Sequence, residues 1–383
     1  MNQKISAADT YAYIDTQRAL NDLTAKMAKA KRVAVDTEAD SLHHYFEKVC
    51  LIQLTITGAN YIIDPLADVD LSGFLKTLSQ KPLVLHGADY DLRMLQNSFG
   101  FYPGNKIFDT MIAARLLGYE KLSLAALVEH FFGIALTKQG QKSNWAKRPL
   151  SAAQLDYASS DTRYLESIAD SLAAELKRRH RHRWLEETVA AMVKSTASNR
   201  PRDPDDAWRI KGAGLLERHQ LIFLQKLWQW RDKIAARKDI PTFKIMANSQ
   251  MLDLAVWAAD HPSSPVEDFP ALPAGYSHSR VQALQKALTR AAAVEKKDWP
   301  EFRKKKKTVH HQPGYRKLVK ALKEACTAIA ADLDLNSSDV ANNAALEEIA
   351  GKRPRSLKEL YRCENILPWQ AKLLYPAIRT LIR

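Results

Sequence analysis

The sequence predicts an α/β domain, a mixed sheet flanked by helices, followed by two all-α modules. Three observations predict it. Strand-like runs come first in a hairpin series and then alternate with helical patterns, which argues a mixed sheet with helices on its faces. From about residue 210 onward the apolar residues recur with helical period. Within that stretch, Ala236–Ala255 aligns without gaps onto Ala331–Ala350, so the helical part reads as a repeat. A length of 383 residues, at roughly 100–200 residues per domain, leaves room for two or three domains.

In chain order, Val33–Val35 reads as a short buried strand and Cys50–Ile56 as a second. Tyr61–Ile63 is a third, joined through the turn Gly58-Ala59-Asn60. An amphipathic stretch at Asp70–Leu78 leads to a strand at Leu83–Leu85, and helical patterns follow at Tyr90–Gln96, Thr110–Leu117 and Leu124–Phe132. Pro149 and Ser151 mark a helix start, with Ser151 as N-cap, and the helix runs through Tyr157, Asp161 and Leu165. A related pattern continues to about Leu185 and ends near the basic run Lys177–Arg183. Asn199–Asp205 is polar and broken by prolines, a linker. In the repeat, Ile240 falls on Leu335, Ile245 on Val340, Met251 on Leu346 and Leu254 on Ile349. Trp228, Trp230 and Trp257 lie within helical apolar patterns and are expected in a core. The domains expected are residues 1–195, a linker at 196–212, helical modules at 213–294 and 313–383, and a basic linker at 295–312.

Composition narrows the function. The formal net charge of +14 is uneven: residues 1–170 carry −1 and residues 171–383 carry +15. Such asymmetry points to a polyanion, because basic groups on phosphates release condensed counterions. No lipidation motif supports a membrane surface as that polyanion, and no run of ~18 apolar residues could span a bilayer. Cys50, Cys326 and Cys363 form neither a CxxC motif nor an even disulfide framework. The first residues lead into a polar segment with no apolar signal core, so a cytoplasmic protein is expected.

Three short motifs carry the chemistry. Asp36 and Glu38 follow the Val33–Val35 strand, and residues two apart on a strand project from one face. Two carboxylates converging there repel unless a cation lies between them. Next, in His86-Gly87-Ala88-Asp89-Tyr90-Asp91, a strand ends, Gly87 turns and a helix begins near Asp89. Asp89 suits the helix dipole, whereas Asp91 is better placed for metal chemistry. Finally, Tyr157 and Asp161, four apart on a helix, share one face. Four acids and a tyrosine from two strand ends and two helices could surround a pair of hard cations.

These motifs resemble the tyrosine subclass of the DEDD superfamily of 3′-to-5′ exonucleases, and within it the bacterial ribonuclease D family. The resemblance rests on Val35–Leu42 with Cys50–Leu54, on His86–Leu95, and on Tyr157–Asp161 continued by Arg163-Tyr164-Leu165. Phe108-Asp109-Thr110 and the stretch Ser143-Asn144-Trp145…Arg148-Pro149-Leu150 are similar too, although the family more often has Asp where Asn144 stands. Position 156 is Asp rather than the His of the sister subclass. Trp230-Arg231, Arg237–Pro241 and Leu252–Pro262 resemble a helicase-and-ribonuclease-D C-terminal (HRDC) domain, and Leu318–Leu381 a divergent second copy. No GxxxxGK[ST] phosphate loop accompanies them, which excludes an ATP-driven helicase.

The resemblance implies a ribonuclease H-like exonuclease domain followed by two HRDC-like domains. It implies Asp36, Glu38, Asp91, Tyr157 and Asp161 as catalytic residues, with the four acids as ligands of two divalent ions, Mg²⁺ or Mn²⁺. It implies hydrolysis of RNA 3′ ends to 5′-mononucleotides by a monomer, with tRNA precursors and structured RNA 3′ ends as substrates. Single-stranded DNA is the alternative substrate, and a non-catalytic nucleic-acid scaffold the alternative function. The HRDC-like modules and the basic runs at 177–183 and 303–307 are candidates for gripping the substrate backbone, contacts that position without reading sequence.

Overall fold

The computed structural model describes residues 11–137, 140–197, 205–273, 275–301 and 313–382, so the run at 303–307 lies outside the described residues. The chain forms two compact units, one of residues 1–40, 48–198 and 308–383, the other of residues 41–47 and 199–307.

The first unit is built on six strands: β1 (Tyr11–Ile14), β2 (Val33–Ala39), β3 (Val49–Ile56), β4 (Ala59–Ile63), β5 (Leu83–Leu85) and β6 (Ile107–Asp109). Their order is β1-β4-β3-β2-β5-β6. The sheet is mixed, as the sequence predicts: β2, β3 and β4 pair antiparallel, whereas β1 with β4, β2 with β5 and β5 with β6 are parallel. Its helices are α1 (Gln17–Lys29), α2 (Ser72–Ser79), α3 (Asp89–Phe99), α4 (Thr110–Leu116), α5 (Leu124–Phe132), α6 (Ala152–Arg163), α7 (Leu165–Arg178) and α8 (His182–Ala197).

Strand alternation distributes β2 between two cores. Val33 and Val35 pack with Leu20, Leu23, Leu92 and Leu95. Ala34 packs on the other side with Leu165 and Ala169 of α7. Asp36 and Glu38 therefore share Ala34's face, and Thr37 shares that of Val33 and Val35. The structure corrects one detail. Asp36 and Glu38 stand within β2, because its pairing with β3 continues from Ala34↔Thr55 through Glu38↔Leu51 to Ala39. The parallel pairing with β5 covers only Val33 and Ala34, so beyond Ala34 no β5 residue is registered against the acid-bearing part of the strand.

Other differences have local causes. β1 has four residues, too short for alternation to stand out, and its parallel partner β4 is distant in sequence. The predicted Ser151 helix is two helices, α6 and α7, separated at Tyr164. Its N-cap is as expected: Ser151 and Gln154 form a capping box. Arg181, from the basic run at 177–183, is only 5% exposed and donates to the carbonyls of Leu116 (2.8 Å) and Leu333 (2.7 Å). That arginine is a structural group.

The first unit also contains α12 (Tyr315–Asp332), α13 (Ser337–Val340), α14 (Asn343–Lys352), α15 (Leu357–Leu360) and α16 (Pro368–Leu381), once the three helices of the other unit are counted. Trp369 of α16 stacks on Trp184 of α8 with centroids 4.6 Å apart, and its backbone N–H donates to Glu187 at 2.8 Å.

The second unit holds α9 (Arg218–Lys238), α10 (Asn248–Asp260) and α11 (His278–Ala292) around a core of Leu224, Leu227, Trp230, Leu254 and Leu284. Trp228 and Trp257 pack against this core, as expected. Trp208 and Ile210, which the sequence places in a linker, are buried in it as well. Residues 41–47 belong to this unit: Asp239 accepts from the backbone of Tyr45 and Phe46, and Tyr45 donates to Asp232.

The repeat is visible in the backbone. α10 and α14 begin at the aligned Asn248 and Asn343, and the aligned Asp239 and Asp334 both adopt positive φ, +47° and +53°. Among the described residues all three cysteines are free and buried, and no helix is long and apolar enough to cross a membrane.

Candidate active site

All five candidate residues lie in the first unit. Asp36 and Glu38 come from one face of β2, and Asp161 comes from α6. The three carboxylates can each offer an oxygen within 4.8 Å of the others. Asp91, in the first turn of α3, stands outside that trio because it serves the other face of β2. Its Oδ1 accepts from the Thr37 backbone N–H (3.1 Å) and the Thr37 hydroxyl (2.6 Å). Both bonds tie α3 to the strand that carries Asp36 and Glu38.

A second acid fixes the turn before α3. Asp109 accepts from the N–H groups of Gly87 (3.2 Å), Ala88 (2.8 Å) and Ile112 (2.9 Å). Gly87 takes φ +75°, which only glycine adopts without strain.

Tyr157 is one helical turn before Asp161 on α6, and the charge of that carboxylate acts on its phenol. Its ring lies 6.0 Å from that of the buried Trp145. The loop bearing Trp145 is pinned by Arg148, which forks onto Asp64 (2.6 and 2.7 Å) and donates to the carbonyls of Trp145 and Cys50. Asn144 accepts from the Ala146 N–H at 3.1 Å, a turn contact that an aspartate could make equally. Gly140 closes over the tyrosine: a Cβ there would sit 2.9 Å from Tyr157 Cγ.

The electrostatics are those of crowded like charges. Burial, then Asp91, Asp161 and Glu38, hold the Asp36 carboxyl well above the usual carboxylate range. Glu38 is pushed up to about 9 by burial and by the charges of Asp161 and Asp91. Burial raises Asp91 to about 7 against the pull of the Thr37 hydrogen bonds. Asp161 also rises to about 7, through burial and the charge of Asp91. Burial and the three nearest carboxylates push the Tyr157 phenol upward. None of the leading contributions to the four acids comes from a lysine or arginine. Gln53, registered across β3 from Asp36, buries both amide atoms without a partner among the described residues. An all-oxygen, anionic donor set with spare polar groups beside it fits a hard divalent cation.

A stability prediction follows from the signs. A carboxyl held above its unfolded value near 4 favours the fold while protonated. That contribution is lost as pH rises through about 7 for Asp91 and Asp161 and about 9 for Glu38. The melting temperature of the metal-free protein is therefore expected to fall between about pH 5 and pH 9. Saturating Mn²⁺ should remove most of that fall. Calorimetric melts with and without EDTA check both statements.

Comparison with known proteins gives this geometry its family. Residues 11–177 match the family model described as 3′-5′ exonuclease, and residues 220–261 and 316–382 match the HRDC domain. Ribonuclease D of Sphingobium indicum is 31% identical over 297 residues, covering 75% of each chain. This chain belongs to the ribonuclease D family. Family membership makes it a hydrolytic 3′-to-5′ exoribonuclease. Ribonuclease D of Cronobacter turicensis is 28% identical over 97% of this chain and 99% of its own. The solved structure of Escherichia coli ribonuclease D, described as an exoribonuclease involved in structured RNA processing, superposes with a TM-score of 0.72 at 25% identity. The match covers 97% of this chain and 98% of that one.

Sequence reasoning missed the supports of this candidate site. Thr37 and Asp109 stood inside matched motifs without a role. Gly140 and Asp64 carried no local signal.

Proposed function

We propose that Asp36, Glu38, Asp91 and Asp161 hold two divalent cations, Mg²⁺ or Mn²⁺, and that Tyr157 orients the attacking water. The observation that carries this reading is the convergence of Asp36, Glu38 and Asp161 within 4.8 Å, with no basic side chain leading their electrostatics. Bound divalent cations supply a lowered water pKa and stabilise charge on the phosphate and the leaving 3′ oxygen. Asp36 and Glu38 would share the ligation from β2, Asp161 would complete it from α6, and Asp91, held through Oδ1 by Thr37, would serve from α3. The Tyr157 phenol stays protonated at neutral pH, so it positions by hydrogen bond instead of removing a proton. The products are 5′-mononucleotides released one at a time.

The substrates we propose are tRNA precursors and other structured RNAs with 3′ extensions, degraded by a cytoplasmic monomer. Buried, unpaired cysteines suit such a reducing compartment. The division into an exonuclease domain at 1–195 and HRDC-like domains at 213–294 and 313–383 is part of the same proposal.

The test is incubation of a 3′-extended tRNA, and separately of single-stranded DNA, with Mg²⁺, Mn²⁺ or EDTA, resolved to single nucleotides. Metal-dependent 3′ shortening of the tRNA, absent in Asp161→Asn, is the expected result. Preference for DNA would overturn the substrate assignment.

The supporting loop gives a further prediction. Gly140 has φ +124°, and a methyl group there would press on the Tyr157 ring. Gly140→Ala is expected to lower kcat by about tenfold with Mn²⁺ affinity kept, since displacing a positioned group costs rate first. Single-turnover kinetics beside a calorimetric titration decide it.

A further inference from the structure

Gln53 is a buried polar group that the proposed chemistry leaves unused. It stands in the middle of β3 with 0% exposure, and neither its amide nitrogen nor its amide oxygen has a partner among the described residues. Side chains two apart on a strand share a face, so Leu51, Gln53 and Thr55 line one side of β3. Leu51 packs with Trp145 and Ala158. Thr55 is satisfied: its hydroxyl bonds with Asn60 Oδ1 and with the Thr162 hydroxyl, each at 2.8 Å. Gln53 thus lies between an apolar residue and a satisfied one, with its own hydrogen-bonding capacity unspent.

The neighbours across the sheet narrow its partners. On the β4 side Gln53 is registered against Ile62, which offers nothing polar. On the β2 side it is registered against Asp36. Directly opposed residues of an antiparallel pair have Cβ atoms about 4.5–5.5 Å apart, within reach of a glutamine amide. Over this face lies α6, where Ser159 spends its hydroxyl on the Asp156 carbonyl (2.9 Å) and Thr162 bonds with Thr55. Asp91 is braced by two hydrogen bonds from Thr37. Asp36 is acted on chiefly by burial and three other acids, with no side-chain donor among the leading influences. Buried amides are rarely left unpaired, and the complement of this one stands directly across the ladder.

We propose that Gln53 is a positioning residue: its amide N–H donates to the Asp36 carboxylate and fixes that carboxylate's orientation toward a bound cation. The proposal rests on the two-cation reading above and adds a neutral donor to it. Neutrality is what suits an amide to this place. A lysine opposite Asp36 would neutralise the carboxylate and compete with the cation, whereas an amide orients the carboxylate and leaves its charge available. Groups that hold a metal ligand in this way typically contribute roughly 10–100-fold to metal affinity or activity.

The experiment uses the full chain with Mn²⁺ as the probe, calorimetric titration for its affinity, and melts in EDTA for the metal-free fold. Gln53→Met keeps the length of the side chain and removes its hydrogen bonds. It is expected to bind Mn²⁺ about tenfold more weakly. Its melting temperature in EDTA should hold or rise, because an unpaired buried amide is gone. A control, Ile62→Val, trims the neighbour on the other side of Gln53 and should melt earlier in EDTA with Mn²⁺ affinity kept. Parent-level Mn²⁺ affinity in Gln53→Met would overturn the proposal. So would a loss of affinity accompanied by an early melt, or an equal loss in Ile62→Val, since either marks a general loosening of the sheet. Should Gln53→Met not fold, Gln53→Asn, which keeps the amide and withdraws it from Asp36, must show the same loss of affinity. A parent chain that binds no Mn²⁺ would overturn the cation reading itself. A parent that binds Mn²⁺ no better than Gln53→Met overturns only the role of Gln53.

Discussion

Asp36→Asn is expected to leave 3′-to-5′ hydrolysis at least about 10³-fold below the parent rate, a loss of about 4 kcal/mol in transition-state stabilisation. The same change is expected to raise the melting temperature of the metal-free protein above neutral pH. Both effects have one origin. Asp36 is buried, and the charges of Asp91, Asp161 and Glu38 all act on it. Replacing its carboxyl by an amide of the same shape removes a group that the metal-free fold must either hold protonated or bury charged among other acids. The remaining acids ionise more easily and the metal-free fold is relieved of repulsion, while the donor set for a cation is weakened. Activity and stability therefore move in opposite directions. An aspartate needed only for folding would lower both. Exonuclease assays with paired melts at about pH 8 in EDTA read the two signs, and a variant that loses activity and melting temperature together would refute the assignment.

How much of this site was legible in the sequence depends on the range of the signal. Asp36 with Glu38, and Tyr157 with Asp161, could be paired on sequence because strand and helix periodicity act over two and four residues. The helical repeat was readable for the same reason, and the backbone bears it out at Asp239 and Asp334. What could not be read is tertiary. Thr37 binds Asp91 across 54 residues, and Arg148 grips Asp64 across 84. Neither partner marks the other locally. The strand end drawn at Val35 was wrong because acids are poor strand formers, yet pairing with β3 carries β2 to Ala39. Arg181 looked like part of a surface charge run because composition does not reveal burial; two buried carbonyl contacts hold it inside. Trp208 and Ile210 were hidden by the prolines and polar residues just before them.

Tyr157→Phe is expected to slow hydrolysis on the order of 10²-fold while divalent-metal affinity stays at the parent value. The substitution is a clean one here. The ring that packs against Trp145 and Gly140 is retained, so only the hydroxyl is lost. That hydroxyl has its pKa raised by burial and by Asp161, Glu38 and Asp36, so it is a donor at neutral pH and a poor ligand for a cation. Its removal should lower kcat and leave the acidic limb of the pH–rate profile in place, because that limb belongs to the carboxylates. Asp161→Asn, one turn along the same face, should instead lose metal affinity together with rate. Calorimetric titration of Mn²⁺ into both variants separates the roles: if the two lose metal equally, the tyrosine is a ligand and the division between holding the cations and aiming the water fails. If Tyr157→Phe keeps both metal and rate, the hydroxyl has no part in the reaction, and the water must be aimed by a carboxylate alone.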